Sequence, residues 1–211
     1  MARMKTCYIC AAPATSKEHV PPKCIFPEDE KFRVNLIKVP SCDQHNSNKS
    51  KCDEWLRFIL AVVPGTNELA RQIIGGRVVR SFDHWPNIVD TLMPDLRLVQ
   101  LGSEETGGIT LDVPRFENSI ASIVRGLFFH ETDKKLTKEL QVYWGAMLTE
   151  NYSEAPFLNV LRKGEQMLPP SYTGSNPQVF QYAFDVSKTG SRSLCRLRFY
   201  EDHPIYVLWG T

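Results

Sequence analysis

The sequence predicts an α+β protein, with a small zinc-stapled module followed by an α+β domain that ends in an antiparallel meander. Three observations carry that prediction. Cys7-Tyr8-Ile9-Cys10 and Cys42-Asp43-Gln44-His45 form two short knuckles with the spacing of a closed tetrahedral zinc centre of three thiolates and one imidazole. Glu117 to Phe129 carries one apolar stripe, Ile120, Ile123, Val124, Leu127 and Phe128, at helical spacing. The C-terminal segment holds three runs rich in β-branched and aromatic residues, Val179–Val186, Leu194–Tyr200 and Ile205–Trp209.

The elements follow in order. Residues 7–52 contain five of the six cysteines and little continuous apolar sequence, so a metal is the expected staple for so small a module. Phe32 to Val39 alternates as a short strand that Pro40 ends, with a helix starting near Ser41–Asp43. Trp55, Leu56, Ile59, Leu60 and Val63 recur at helical spacing until Pro64-Gly65 stops them, and Glu68 to Ile74 reads as a further helix. Leu96–Leu101 and Ile109–Val113 read as two strands joined by a turn at 102–108. The helix over Glu117–Phe129 comes next, then a short helical piece over Lys134–Leu140. The meander turns at Lys188–Ser191 and Glu201–Pro204. The division expected is a zinc-stapled module over 1–65 and an α+β domain over 66–211.

Composition narrows the class. Among 211 residues, 42% are hydrophobic and 23% charged, as in ordinary globular proteins. No apolar run approaches the roughly 20 residues that span a bilayer, so no membrane role is expected. Met1–Thr6 leads straight into a knuckle without an apolar stretch, which reads against a secretory signal and for a cytoplasmic protein. In that compartment the cysteines read as ligands and free thiols. The net charge is +1, but residues 1–52 carry nine Lys/Arg against five Asp/Glu, a net of +4. Positive charge therefore gathers on the knuckle segment, as a phosphate-binding surface requires.

A closed zinc site has no open position for water and performs no chemistry. Reactive groups should therefore sit on the segment it anchors, where Glu18, His19, Asn35 and Asn46 are the candidates. Cys24 and Cys52 lie outside the knuckles and read as packed thiols. Asp83-His84-Trp85 repeats the acidic–His pair with no knuckle behind it and reads as structural. Arg125 and His130 read as partners of backbone carbonyls or solvent.

Glu18-His19-Val20-Pro21, Asn35-Leu36 and Cys42-x-x-His45-Asn46-x-x-Lys49, with Cys7 and Cys10 in front, resemble the HNH endonucleases, the ββα-metal or His-Me finger nucleases. The resemblance covers residues 7–51. It implies a metal-dependent endonuclease that hydrolyses phosphodiester bonds in DNA, with His19 as general base. Glu18 and Asn46 would hold a catalytic Mg²⁺ or Mn²⁺ through hard oxygen donors, with Asn48 a rival to Asn46. Asn35 would orient the His19 ring from a neighbouring strand. Lys23, Lys49 and Lys51 would contact phosphates. Cys7, Cys10, Cys42 and His45 would hold structural Zn²⁺. The C-terminal domain would select DNA or a partner protein, or form a homodimer. A non-catalytic zinc-ribbon module that binds nucleic acid or protein is the alternative.

Overall fold

A computed structural model describes residues 6–46, 50–63, 65–73, 75, 96–101, 104–109, 111–144, 166, 168–169, 171–186, 192–201 and 204–210. The expectations for Asp83-His84-Trp85, for the turn at 188–191, and for Asn48 and Lys49 lie outside the described residues.

The N-terminal knuckle leads into β1 (Ser16–His19), which pairs antiparallel with β2 (Lys38–Ser41) so that Glu18 faces Val39 and His19 faces Lys38. Helix α1 (Asp43–Asn46) follows β2 at once, then α2 (Ser50–Val62) and α3 (Glu68–Ile73). Two short 3₁₀ turns, Lys23–Ile25 and Glu30–Phe32, fill the connection between the strands.

The strand expected over 32–39 starts later, at Lys38. Asn35 adopts φ 55° in the turn before it, a left-handed conformation that Asn tolerates better than most side chains and that ends an extended run. Val34, which fed the apparent alternation, is 52% exposed there. Pro40 lies inside β2 and does not end it. Proline lacks a donor, yet its carbonyl accepts from the Tyr8 N–H at 2.8 Å and thereby ties the knuckle to the hairpin.

β3 (Leu96–Leu101) pairs with β4 (Glu104–Ile109), so the second strand begins where a turn was expected. Residues 111–113 belong to the approach of α4 (Val113–Thr132). The Asp112 carboxylate accepts from the Arg115 N–H at 3.1 Å and Pro114 sits in the first turn, a start signal stronger than the local β propensity. Lys134–Leu140 is irregular, not helical. Arg125 of α4 donates to the carbonyls of Leu136 and Lys138, which a helix would have used differently.

The C-terminal part is a five-stranded antiparallel sheet in the order β5-β9-β8-β7-β6, built from β5 (Gln141–Trp144), β6 (Thr173–Asn176), β7 (Phe180–Val186), β8 (Arg192–Phe199) and β9 (Ile205–Gly210). The β7-β8-β9 meander is the expected one; β5 and β6 extend it on either side. A helix packs on the sheet through Phe116, whose ring stacks on Trp144 at 4.8 Å.

One buried apolar cluster runs from Cys7, Val20 and Val39 through Leu56 and Ile59 of α2 and Ile120, Val124 and Leu127 of α4 to Leu197 and Val207 of the sheet. The Tyr200 hydroxyl donates to the Ile25 carbonyl at 2.6 Å and the Asn67 amide donates to Gln178 at 2.7 Å, joining the sheet to the N-terminal half. No helix among the described residues is long and apolar enough to cross a membrane.

Gly126 marks the closest approach of α4 to the hairpin. A Cβ there would lie 2.6 Å and 2.9 Å from the two methyls of the buried Val20. In an isolated helix Ala would be favoured over Gly by roughly 1 kcal/mol, but overpacking a core costs about 1–3 kcal/mol. Overpacking should win, so Gly126→Ala lowers stability by about 1 kcal/mol. Adding Val20→Ala in the same chain should recover part of the loss, which urea unfolding of the two single variants and the double variant would measure. Independent, additive effects would contradict this contact.

Candidate functional site

Two local devices bring the knuckle ligands together. The Cys7 N–H donates to the Ala12 carbonyl at 2.9 Å, closing a loop that carries Cys10, and the Ile9 N–H donates to the Cys7 sulfur at 3.5 Å. On the other side the N–H groups of His45 and Asn46 both donate to the Cys42 carbonyl at 3.1 Å. This single helical turn puts His45 on the same side as Cys42.

The result is a Cys3His cluster whose ligand atoms all lie within 4.8 Å of one another. With Zn–S about 2.3 Å and Zn–N about 2.0–2.1 Å, a tetrahedron has S···S edges of about 3.8 Å and S···N edges of about 3.6 Å. Here Cys10 and Cys42 sulfurs are 3.8 Å apart. His45 Nδ1 lies 3.5 Å, 3.6 Å and 3.2 Å from the sulfurs of Cys7, Cys10 and Cys42. The cluster has the size and donors of a structural zinc site. Burial opposes ionisation of Cys7, but backbone N–H groups of Cys10 and Ile9 outweigh it and lower the thiol to about 6, toward the thiolate a metal needs. The Lys135 ammonium donates to the Cys10 carbonyl at 2.5 Å, setting a positive charge beside the cluster.

Next to this cluster lies a cleft of about 230 Å³ lined by Glu18, His19, Pro22, Lys23, Cys24, Asn46, Asp53 and Glu54. His45 and Asn46 are successive residues of α1, so one faces the sulfur cluster while the other reaches β1. The Asn46 amide nitrogen donates to the Ser16 hydroxyl at 2.8 Å, which leaves its carbonyl oxygen as the group able to meet a cation. Glu18 is buried and accepts from the Ser41 hydroxyl at 3.5 Å. Burial, then the charge of Glu18, pushes the Tyr8 phenol well above its ordinary value. That fully buried hydroxyl has no hydrogen-bond partner of good geometry and stays a protonated donor near the carboxylate.

His19 is half-buried. Burial first, then the charges of Lys38 and Lys23, hold its imidazole below the usual 6.5, so the ring is neutral at pH 7. Burial, then the charges of Glu54 and Asp53, raises the Cys24 thiol to about 12, which keeps it protonated and unreactive.

The structure thus gathers Glu18, His19, Asn46 and Lys23 around one cleft. Asn35 is not among its lining residues and sits exposed in the turn before β2, not on the neighbouring strand. Lys51 is exposed at the start of α2, where its carbonyl accepts from Arg115, and does not line the cleft. Sequence reasoning missed Asp53 and Glu54, which α2 delivers to the cleft. A signal existed: Asp53 falls in the first turn of α2 and Glu54 directly follows it, only seven and eight residues beyond Asn46 in the sequence. Lys38 was missed as well; it faces His19 only through the strand register.

Comparison with known proteins finds no match: no family model, curated protein or solved structure aligns with this chain.

The cluster yields a direct expectation. The purified chain should carry about one zinc, and Cys42→Ser should lose it, since the remaining three ligands cannot close the tetrahedron. Structural zinc supplies about 10–16 kcal/mol of apparent binding energy in small modules, so the variant should also unfold residues 7–52. Elemental analysis and limited proteolysis would check both; unchanged zinc content in Cys42→Ser would remove the assignment.

Proposed function

We propose that this chain is a metal-dependent nuclease of the HNH type that hydrolyses phosphodiester bonds in DNA. One observation carries the reading: Glu18, His19 and Asn46, the positions that match the catalytic part of the HNH pattern, line a single cleft beside the Cys3His cluster.

Each residue has a role suited to its chemistry. His19, neutral at pH 7, accepts the proton of the attacking water. Glu18 and Asn46 offer a carboxylate and an amide oxygen, hard donors that fit Mg²⁺ or Mn²⁺ and suit zinc's thiolate site poorly. A bound divalent ion would neutralise charge on the phosphate and the leaving oxygen. Asp53 adds a carboxylate to the same cleft, and Glu54 lines it while paired with Arg57. Lys23 at the rim and Lys38 opposite His19 supply positive charge where a phosphate would enter. Lys51 lies farther out, within reach of flanking phosphates of a long substrate. Burial of Glu18 and its Ser41 contact fix the carboxylate in place, so that the site is ordered before substrate arrives.

Supercoiled-plasmid cleavage tests the reading. With Mg²⁺ or Mn²⁺ the wild type should convert plasmid to nicked or linear product, and His19→Ala should be slower by about 10²-fold or more at equal zinc content. Cleavage by His19→Ala at the wild-type rate would refute this role for His19. Absence of any divalent-dependent cleavage by wild type, with DNA still bound, would favour the non-catalytic zinc module.

A further inference from the structure

We infer that a second cleft, lined by Arg33 and Arg57 and adjoining the first, binds a phosphate group of the substrate strand next to the one that His19 serves. The phosphate-binding part stands on the cleft itself; the identity of the phosphate rests on the nuclease reading.

The cleft measures about 150 Å³ and shares Cys24 with the His19 cleft. Leu69, Gln72 and Ile73 of α3 close one side of it, and Phe26 and Pro27 contribute apolar wall. Its charged lining is two guanidinium groups against one carboxylate, Glu28. The first cleft has the opposite bias, with Glu18, Asp53 and Glu54 among its walls. Two adjoining pockets, one suited to a cation and one to an anion, match what a phosphodiester chain with its metal presents.

Both arginines are held in place. An Arg33 terminal N–H donates to the Phe26 carbonyl at 3.2 Å, and an Arg57 terminal nitrogen pairs with Glu54 at 2.5 Å. Glu54 lines the first cleft and Arg57 the second, so this ion pair is the partition between them. Arg57 is largely buried, with its side chain 13% exposed. The Nε atoms of both arginines are buried and have no hydrogen-bond partner. The protein gives these two Nε–H groups no acceptor, and an anion in the cleft would set negative charge beside them. Guanidinium favours phosphate oxygens because its planar fork can give two parallel N–H···O bonds.

The test uses the full-length, zinc-loaded chain and inorganic phosphate as probe, read by the ¹⁵N resonances of the arginine Nε–H groups. The Arg33 and Arg57 signals should shift saturably with phosphate. Gln72→Glu places a competing carboxylate at the cleft from an exposed helix position and leaves Phe26 and Glu54, the arginines' anchors, unchanged. It should weaken phosphate binding about tenfold, with unchanged melting temperature and zinc content. On a DNA substrate the same variant should raise KM about tenfold and leave kcat near wild type. Arg33 and Arg57 signals that ignore phosphate, or a Gln72→Glu variant that binds it like wild type, would overturn the site. Phosphate-dependent shifts in a protein that cuts no DNA would uphold the site and overturn the nuclease reading instead.

Discussion

The convergence of Cys7, Cys10, Cys42 and His45 is the constraint from which the rest of the N-terminal half follows. These four residues come from segments more than thirty positions apart, yet their ligand atoms lie within 4.8 Å of one another. Holding them together fixes the start of α1 against the knuckle. Because Asn46 follows His45 in the same helical turn, it also fixes where Asn46 meets β1. The cleft residue and the cluster residue are therefore mechanically one unit, and a loss of metal would be felt in the cleft without any cleft residue being changed.

The hairpin that carries Glu18 and His19 is too small to be ordered by its own pairing, which joins only four residues on each side. Its support comes from packing. Val20 and Val39 are buried in the cluster that also contains α2, α4 and the sheet. Gly126 lets α4 approach Val20 at a distance that no side chain would permit. The C-terminal sheet thus acts on the candidate site indirectly, by backing the helix that backs the strand. Tyr200 and Asn67 add polar ties from the sheet's edge to Ile25 and α3.

Charge is sorted over short distances around the cleft. Helix α2 brings Asp53, Glu54 and Arg57 into neighbouring positions, and the connection between β1 and β2 brings Lys23 and Arg33. Net charge over residues 1–52 hints at a basic surface but not at this sorting, because it leaves out Asp53, Glu54 and Arg57 of α2, which meet Lys23 and Arg33 only in space. The low position of His19 has the same origin: burial and two lysines, one of them across the strand pair.

The sequence by itself determined the Cys3His cluster, the long amphipathic helix and the three central strands of the meander. In each the signal is local: ligand spacing within a knuckle, apolar residues every three or four positions, and alternation every two. It also named Glu18, His19 and Asn46, since their residue types and neighbours form a recognisable pattern. Only the tertiary structure decided which candidates meet. Asn35 took a left-handed turn and left the strand assigned to it. Asp53 and Glu54 entered the cleft because α2 packs against the 3₁₀ turn at Lys23–Ile25, and Arg33 and Arg57 came together across a similar gap. Such contacts depend on long-range packing of elements whose own sequences are indifferent to it. The C-terminal sheet's outer strands escaped detection for a related reason: β6, Thr-Gly-Ser-Asn, is extended because β7 offers it hydrogen bonds, and nothing in those four residues asks for a strand.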